Sequence, residues 1–394
     1  MGTPASALLE LSPMNALPTP SSCEDLLAQM VSFNSVNESM GGPAGGEARL
    51  AAHLESLAAH WGLSAQRHPV GDAGAFNLVI ASEVAPDAEW LLFESHLDTV
   101  SVAGMTVPPF ELTHSGDRLH GRGVCDTKGS GAAMLWALRD YAAMPGRTRN
   151  AGVVFTVDEE AGMTGAQAFA AGALRDFKRL RGIIAGEPTE LRPVVAHNGS
   201  LRWRSITRGV AAHSAEPAKG RSAIRAMMEV IDALESKFIP LANRDFPLTG
   251  RAAASINIIR GGSAVNVIPD YCEIHCDRRL VPGETIEQVL AERDTALAGL
   301  AVGHDSEYLA PPLPPGSSAD LHAWMQPAFS ASGIDGSAVG ALYATNASHY
   351  AAAGASVLVL GPGNISHAHT KDEWVSSDQL ARACALYGAI LRLP

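Results

Sequence analysis

Positive charge is scarce in this sequence. Its 29 Lys and Arg residues face 41 Asp and Glu, a net charge of −12 at pH 7. No run of Lys and Arg concentrates what little there is, so a phosphate backbone would find nothing to replace its released counterions. Nucleic acid is thereby excluded as the main partner. Cysteine is equally sparse, with five residues (Cys23, Cys125, Cys272, Cys276 and Cys384) and no CxxC spacing. Cys272 and Cys276 fall in one predicted strand, about 13 Å apart at ~3.3 Å per residue, too far to bridge. Reduced thiols in a cytoplasmic protein are expected. No segment approaches the ~18 apolar residues that a membrane span needs. The first basic residue is Arg49, and Glu10 and Pro13 break the short run Ala7-Leu8-Leu9, so no signal peptide is expected.

What is present suggests an ordinary globular protein of two or three domains: 394 residues, 46% of them hydrophobic. Residues 1–20, rich in Pro, Ser and Ala, read as a loose tail. Helices are predicted over 24–33, 46–61, 131–144 and 164–174, and short apolar strands over 77–81, 90–93, 153–157 and 182–185. Continuous apolar strands between helices imply a sheet covered on both faces. The pattern then changes to strand 202–208, helix 221–238, strands 254–260 and 271–280, helix 285–300 and a strand near 307. That β-α-β-β-α-β order is the ferredoxin-like unit. β/α character returns at 357–360 and in a helix over 377–391. The fold class expected is therefore α/β: a catalytic domain with a mostly parallel central sheet (21–199 and 310–394), interrupted by an inserted ferredoxin-like α+β domain (200–309).

Five segments fall at strand ends or in adjoining loops, where α/β sheets place their active sites. His96-Leu97-Asp98 puts two polar side chains on one face of a strand end, although such a pair alone is more often structural. Asp126 sits among glycines just before a helix, as a functional carboxylate or as a plain N-cap. Asp158-Glu159-Glu160 ends an apolar strand, where three carboxylates are costly unless cations or protons neutralise them; a solvated loop is the alternative. Adjacent residues on an extended chain point opposite ways, so Glu159 and Glu160 can serve different roles. Glu187 ends another strand, and His369 lies in the loop after the last one. Two histidines and three carboxylates make a mixed N/O set suited to zinc, or to cobalt or manganese in its place. A carboxylate bridging two ions would make a two-metal hydrolytic centre.

Together these segments resemble the dinuclear-zinc hydrolases that include acetylornithine deacetylase, succinyl-diaminopimelate desuccinylase, aminoacylase-1 and carboxypeptidase G. The resemblance runs from about Glu24 to the C-terminus, with all five segments in family order. It implies that His96 and Glu187 bind one metal, Glu160 and His369 the other, and that Asp126 bridges them through a residue whose peptide bond to Thr127 is cis. Glu159 would be the general base acting on the water between the ions, and Asp98 would fix the tautomer of His96. In Arg208-Gly209-Val210-Ala211-Ala212-His213-Ser214, His213 would reach a partner subunit's active site and stabilise the oxyanion, making the inserted domain a dimerisation or lid domain of a homodimer. Asn266 and Arg279 match positions that contact substrate, Arg279 through a carboxylate. The implied substrate is a small N-acyl amino acid; a dipeptide is the alternative within the same chemistry, and an inactive binding protein the alternative outside it. Glu187-Pro188-Thr189-Glu190-Leu191-Arg192-Pro193-Val194 followed by Ala196-His197 looks most like the acetylornithine deacetylases. Asn346 departs from the Asp or Glu of many relatives, which counts against recognition of a cationic side chain such as ornithine's.

Overall fold

A computed structural model of the chain describes residues 17–71 and 74–394. Most of the expected tail over 1–20 therefore lies outside the described residues. The rest is built on an eight-stranded sheet and a separate four-stranded one, with smaller ribbons beside them.

The large sheet forms because its strands carry apolar side chains on both sides. Trp90–His96 and Asn150–Thr156 are buried at every position. Alternation divides these residues between two layers, as a strand period of two requires. Leu91, Phe93, Val153, Phe155, Ile184 and Leu358 point into one core, packed by the helices Cys23–Ser32, Lys128–Ala142 and Ser377–Leu391. Their neighbours Leu92, Val154, Ile183, Val357 and Val359 point into the other, with Phe169 and Tyr350 from the helices Thr164–Ala171 and Ala347–Ala352. Across the sheet the order is Ser64–Val70, Ala75–Ser82, Asn150–Thr156, Trp90–His96, Leu180–Ala185, Val357–Val359, Val194–His197, Val339–Ala341. The four central strands, Asn150–Thr156 through Val357–Val359, pair in parallel. Their carboxyl ends therefore emerge on the same edge.

The second sheet is antiparallel, in the order Ala253–Gly261, Tyr271–Leu280, Gly199–Arg208, Val302–Ala310. That is the ferredoxin-like topology, and the fold class is the α/β architecture with an inserted α+β unit that the sequence predicts. One face buries Leu201, Trp203, Ile274 and Cys276 under the helices Ala223–Ala233 and Ile286–Ala296. The second helix is started by a capping box between Thr285 and Gln288. Among the described residues no helix covers the other face, which carries polar and charged side chains such as Arg202, Arg204, Glu273, Asp277 and Arg279. None of the five cysteines is joined in a disulfide. No helix among the described residues is long and apolar enough to cross a membrane.

Candidate active site

Four of the five segments meet at the shared edge of the parallel strands. His96 is the last residue of Trp90–His96. Glu159 and Glu160 follow Asn150–Thr156, Glu187 follows Leu180–Ala185, and His369 closes the loop after Val357–Val359. Asp126 arrives from the side, two residues before the helix Lys128–Ala142. The loop that brings it turns at Gly123 (φ +86°), where a Cβ would lie 2.8 Å from Thr99 and 3.0 Å from Lys128; only glycine fits that path. The Asp126–Thr127 peptide bond is cis.

The side chains converge in two groups of three. Ligand atoms of His96, Asp126 and Glu187 lie within 4.8 Å of one another, as do those of Asp126, Glu160 and His369. Asp126 belongs to both. Its Oδ1 is 3.0 Å from His96 Nε2, and its Oδ2 is 3.1 Å from His369 Nε2. His369 Nε2 is also 3.1 Å from Glu160 Oε1.

This edge holds more negative charge than protein cations can balance. No Lys or Arg among the described residues forms an ion pair with Asp126, Glu159, Glu160 or Glu187, and Asp126, Glu159 and Glu187 are buried. Burial, then repulsion from Asp126, pushes the Glu160 carboxyl up to about 7. Burial and the Asp126 charge push Glu187 upward as well. Glu159 is raised by burial and by the charges of Glu160 and Asp126, with His96 opposing. Asp126 alone moves down: burial would raise it, but the bonds from His369 and His96 outweigh that. His369, despite partial burial, rises to about 11 through Asp126 and Glu160. Oxygen and imidazole donors crowded together with no Lys or Arg partner among the described residues are the donor set of a divalent ion site, so the residues fit a pair of metal ions.

A supporting layer holds these groups. Asp98 Oδ1 accepts the backbone N–H of Glu159 at 3.0 Å, and its Oδ2 accepts that of Glu160 at 3.0 Å. Asn37 Nδ2 donates to the same Oδ2 at 2.9 Å. His96 Nδ1 donates at 2.9 Å to the backbone carbonyl of Asp98, while the carboxylate stands at 3.3 Å. The tautomer is thus set chiefly by main chain, and the Asp98 carboxylate anchors the two glutamates. Glu373 does the same for the opposite loop. Its Oε1 accepts from the N–H groups of Cys125 (2.9 Å) and Asp126 (3.1 Å), and its Oε2 pairs with Arg122 Nη1 at 2.6 Å. Asn346 is buried beneath the site, its Nδ2 donating to Glu94 Oε1 at 2.9 Å and Thr156 Oγ1 at 3.2 Å. It does not line the cleft, so the departure noted there bears on the support of the site and not directly on the substrate.

The cleft above holds about 280 Å³ and is walled by both sheets. Asp126, Glu159, Glu160, Glu187 and His369 line one side; Ser200, Arg202, Arg279 and Tyr308 line the other. Arg279 is therefore brought to the site. His213 and Asn266 are not: both are exposed on a two-stranded ribbon, where His213 pairs with Val267 and the Ser214 N–H bonds to Asn266 O at 3.0 Å. Arg202, Tyr308, Asn37 and Glu373 carry no motif. For Arg202, the alternation Ser200–Arg202–Arg204 against apolar Leu201–Trp203 is the one signal that marks an open sheet face.

Comparison with known proteins agrees with this geometry. Residues 92–393 match the model of peptidase family M20/M25/M40. An acetylornithine deacetylase of Edwardsiella ictaluri is 32% identical over 82% of this chain and 86% of its own length. That of Proteus mirabilis is 32% identical over 86% and 89%. Among solved structures, an M20 family metallo-carboxypeptidase of Sulfolobus solfataricus superposes with a TM-score of 0.75 at 16% identity, over 93% of this chain and 98% of that one. A tripeptidase of Staphylococcus aureus does so at 0.73 and 19%, over 94% and 97%.

Proposed function

The chain belongs to peptidase family M20/M25/M40 and is a metal-dependent amide hydrolase; from that premise we propose that it cleaves the amide bond of a small N-acyl amino acid, after the manner of the acetylornithine deacetylases. The observation that carries this is the pair of three-residue groups sharing Asp126, with Glu159 beside them on the cleft. His96 and Glu187 would hold one ion and Glu160 and His369 the other, with Asp126 common to both. Zinc suits these donors, and cobalt or manganese could take its place. When bound, the ions supply Lewis acidity and make water a nucleophile at neutral pH.

The remaining steps belong to side chains. Glu159, buried and with no ion-pair partner among the described residues, is the general base: it takes a proton from the attacking water and returns it to the departing amine nitrogen. Asp98 positions Glu159 through the backbone. Arg279 grips the substrate's α-carboxylate. His213 and Asn266, remote from this chain's own cleft lining, would act in the cleft of a second copy, His213 donating to the oxyanion. A dimer is supported by the sheet edge Ala253–Gly261, where Ile258 and Ile259 are 40% and 58% exposed. On this reading residues 200–309 form the dimerisation or lid domain and 21–199 with 310–394 the metal-binding domain. The enzyme is proposed to be cytoplasmic.

The test is to strip the protein with a chelator and assay N-acetylornithine, a panel of N-acyl amino acids and dipeptides before and after adding back zinc, cobalt or manganese. Activity on N-acyl amino acids should vanish and return with the metal. Unaided hydrolysis by a metal-free sample would overturn the reading, and preference for dipeptides would make the enzyme a dipeptidase.

A further inference from the structure

The two walls of the cleft differ in charge. Beyond Asp126, Glu159, Glu160 and Glu187, which the metal centre and its base account for, the lining holds no carboxylate among the described residues. Its other charged side chains, His369 apart, are Arg202 and Arg279 on the open face of the four-stranded sheet. Strand register sets them together. Arg202 lies opposite Asp277 on one neighbouring strand and Tyr308 on the other, while Arg279 lies opposite Ser200. Asp277 divides its two oxygens between them: Oδ1 accepts from Arg279 Nε at 2.7 Å and Oδ2 from Arg202 Nε at 3.1 Å. The Arg202 guanidinium also lies over the Tyr308 ring, 4.8 Å from its centroid.

These contacts occupy only the Nε of each arginine. No Nη atom of Arg202 or Arg279 donates to any described residue. Among the described side chains, these two guanidiniums and the one carboxylate they share carry a net charge of +1, with two Nη pairs of the geometry that takes a carboxylate end-on. Tyr308 and Asp277 hold Arg202 in place beforehand, so little side-chain entropy is lost when an anion arrives.

An N-acyl amino acid with a neutral side chain offers one carboxylate, which Arg279 takes on the proposed reading. Arg202 is then a second fork without a ligand. Because both arginines are tied to the same Asp277, the two anions they bind must lie close together, as two carboxylates of one residue do. Aspartate and glutamate meet that condition; an acid on the acyl chain would fall on the opposite side of the scissile amide. Resting on the N-acyl-amino-acid reading, we infer that the amino acid released is acidic, an N-acyl-glutamate or N-acyl-aspartate being the substrate, and that Arg202 determines this specificity by binding the side-chain carboxylate. An ornithine side chain would instead bring an ammonium against the cationic wall.

The experiment compares kcat/KM of the metal-loaded protein on N-acetyl-L-glutamate and its neutral isostere N-acetyl-L-glutamine, with N-acetyl-L-ornithine alongside. N-succinyl-L-alanine against N-butyryl-L-alanine tests a carboxylate on the acyl side. The glutamate substrate should be favoured over glutamine by about 10- to 100-fold, the size of one charge-assisted contact, mainly through KM. Arg202→Met should reduce that ratio by about tenfold or more, and Arg202→Lys should restore part of it. Equal rates on glutamate and glutamine, preference for ornithine, a preference confined to the succinyl pair, or a ratio that survives Arg202→Met would each overturn the inference while leaving the hydrolase reading intact. If no amide is cleaved with any metal, the hydrolase reading fails and the released product with it, and calorimetry decides the role of Arg202 separately. Binding of N-acetyl-L-glutamate at least about tenfold tighter than N-acetyl-L-glutamine, lost in Arg202→Met, would uphold Arg202 as the residue that binds the side-chain carboxylate; equal binding would overturn it.

Discussion

Replacing Glu373 by Gln should unsettle the metal centre without touching a candidate ligand. Glu373 is fully buried, pairs with the buried Arg122 and accepts the N–H groups of Cys125 and Asp126. Removing its charge leaves the Arg122 guanidinium buried with no anionic partner among the described residues, only the Ser101 carbonyl at 2.9 Å and the neutral amide oxygen of the new glutamine. Breaking one side of a buried pair costs about 3–5 kcal/mol, mostly because the survivor is uncompensated. The loop that carries Asp126 also loses a charged anchor, and such loss behind a metal ligand weakens binding by about 10- to 100-fold. Urea unfolding should therefore show a loss of about 4 kcal/mol, and chelator competition a weaker metal affinity. The double change Arg122→Met with Glu373→Met removes both charges together and should recover at least about half of the stability. A Glu373→Gln protein within about 1 kcal/mol of the parent with unaltered metal affinity, or a double variant no more stable than Glu373→Gln, would refute this account.

Other consequences are as direct. Glu159→Ala should lower turnover by at least about 100-fold while elemental analysis finds normal metal content; activity within about tenfold of the parent would remove Glu159 from the base role. His213→Ala should slow catalysis about 100- to 1000-fold without loss of metal, and mixing it with Glu159→Ala should regain partial activity if His213 acts across subunits. Acid should destabilise the fold through His197, whose Nδ1 donates to the Asn198 carbonyl at 2.9 Å and whose Nε2 is 3.1 Å from the Thr345 hydroxyl. Burial holds this imidazole down to about 4, below its ordinary 6.5. Its contribution is complete above pH 6.5 and is lost as pH falls toward 4, amounting to about 3 kcal/mol at the acid end. His197→Gln should flatten that part of the stability–pH curve in urea titrations; an unchanged curve would show that His197 is not responsible.

Much of this architecture could be read before any coordinates, because its central strands announce themselves. Trp90–His96, Asn150–Thr156 and Leu180–Ala185 are short apolar runs between turn residues, and the side chains just beyond their carboxyl ends are the ones that meet. Elements with weaker signals escaped. The helix Ala319–Ser332 contains Pro327, which breaks a helical pattern on paper. The edge strand Ser64–Val70 is largely exposed and ends near Pro69, so it shows no apolar run. Glu373 and Asn37 act through main-chain and buried polar contacts that unite distant segments, and no spacing in the sequence encodes those. Arg202 lies in a predicted strand, but which strand faces the candidate ligands depends on how two sheets stand against each other, a property of tertiary packing.

Asp98 has a consequence for how this centre can change. One carboxylate fastens the main chain of two consecutive glutamates, one facing a metal group and the other assigned the proton. On the proposed roles, ligand Glu160 and base Glu159 are thereby geared together: a shift in the main chain of the first is passed to the second through the one carboxylate that holds both. Altering the ion's size or charge would retune proton transfer at the same stroke, and a variant that adapts to a new metal would have to reset both from that single hinge.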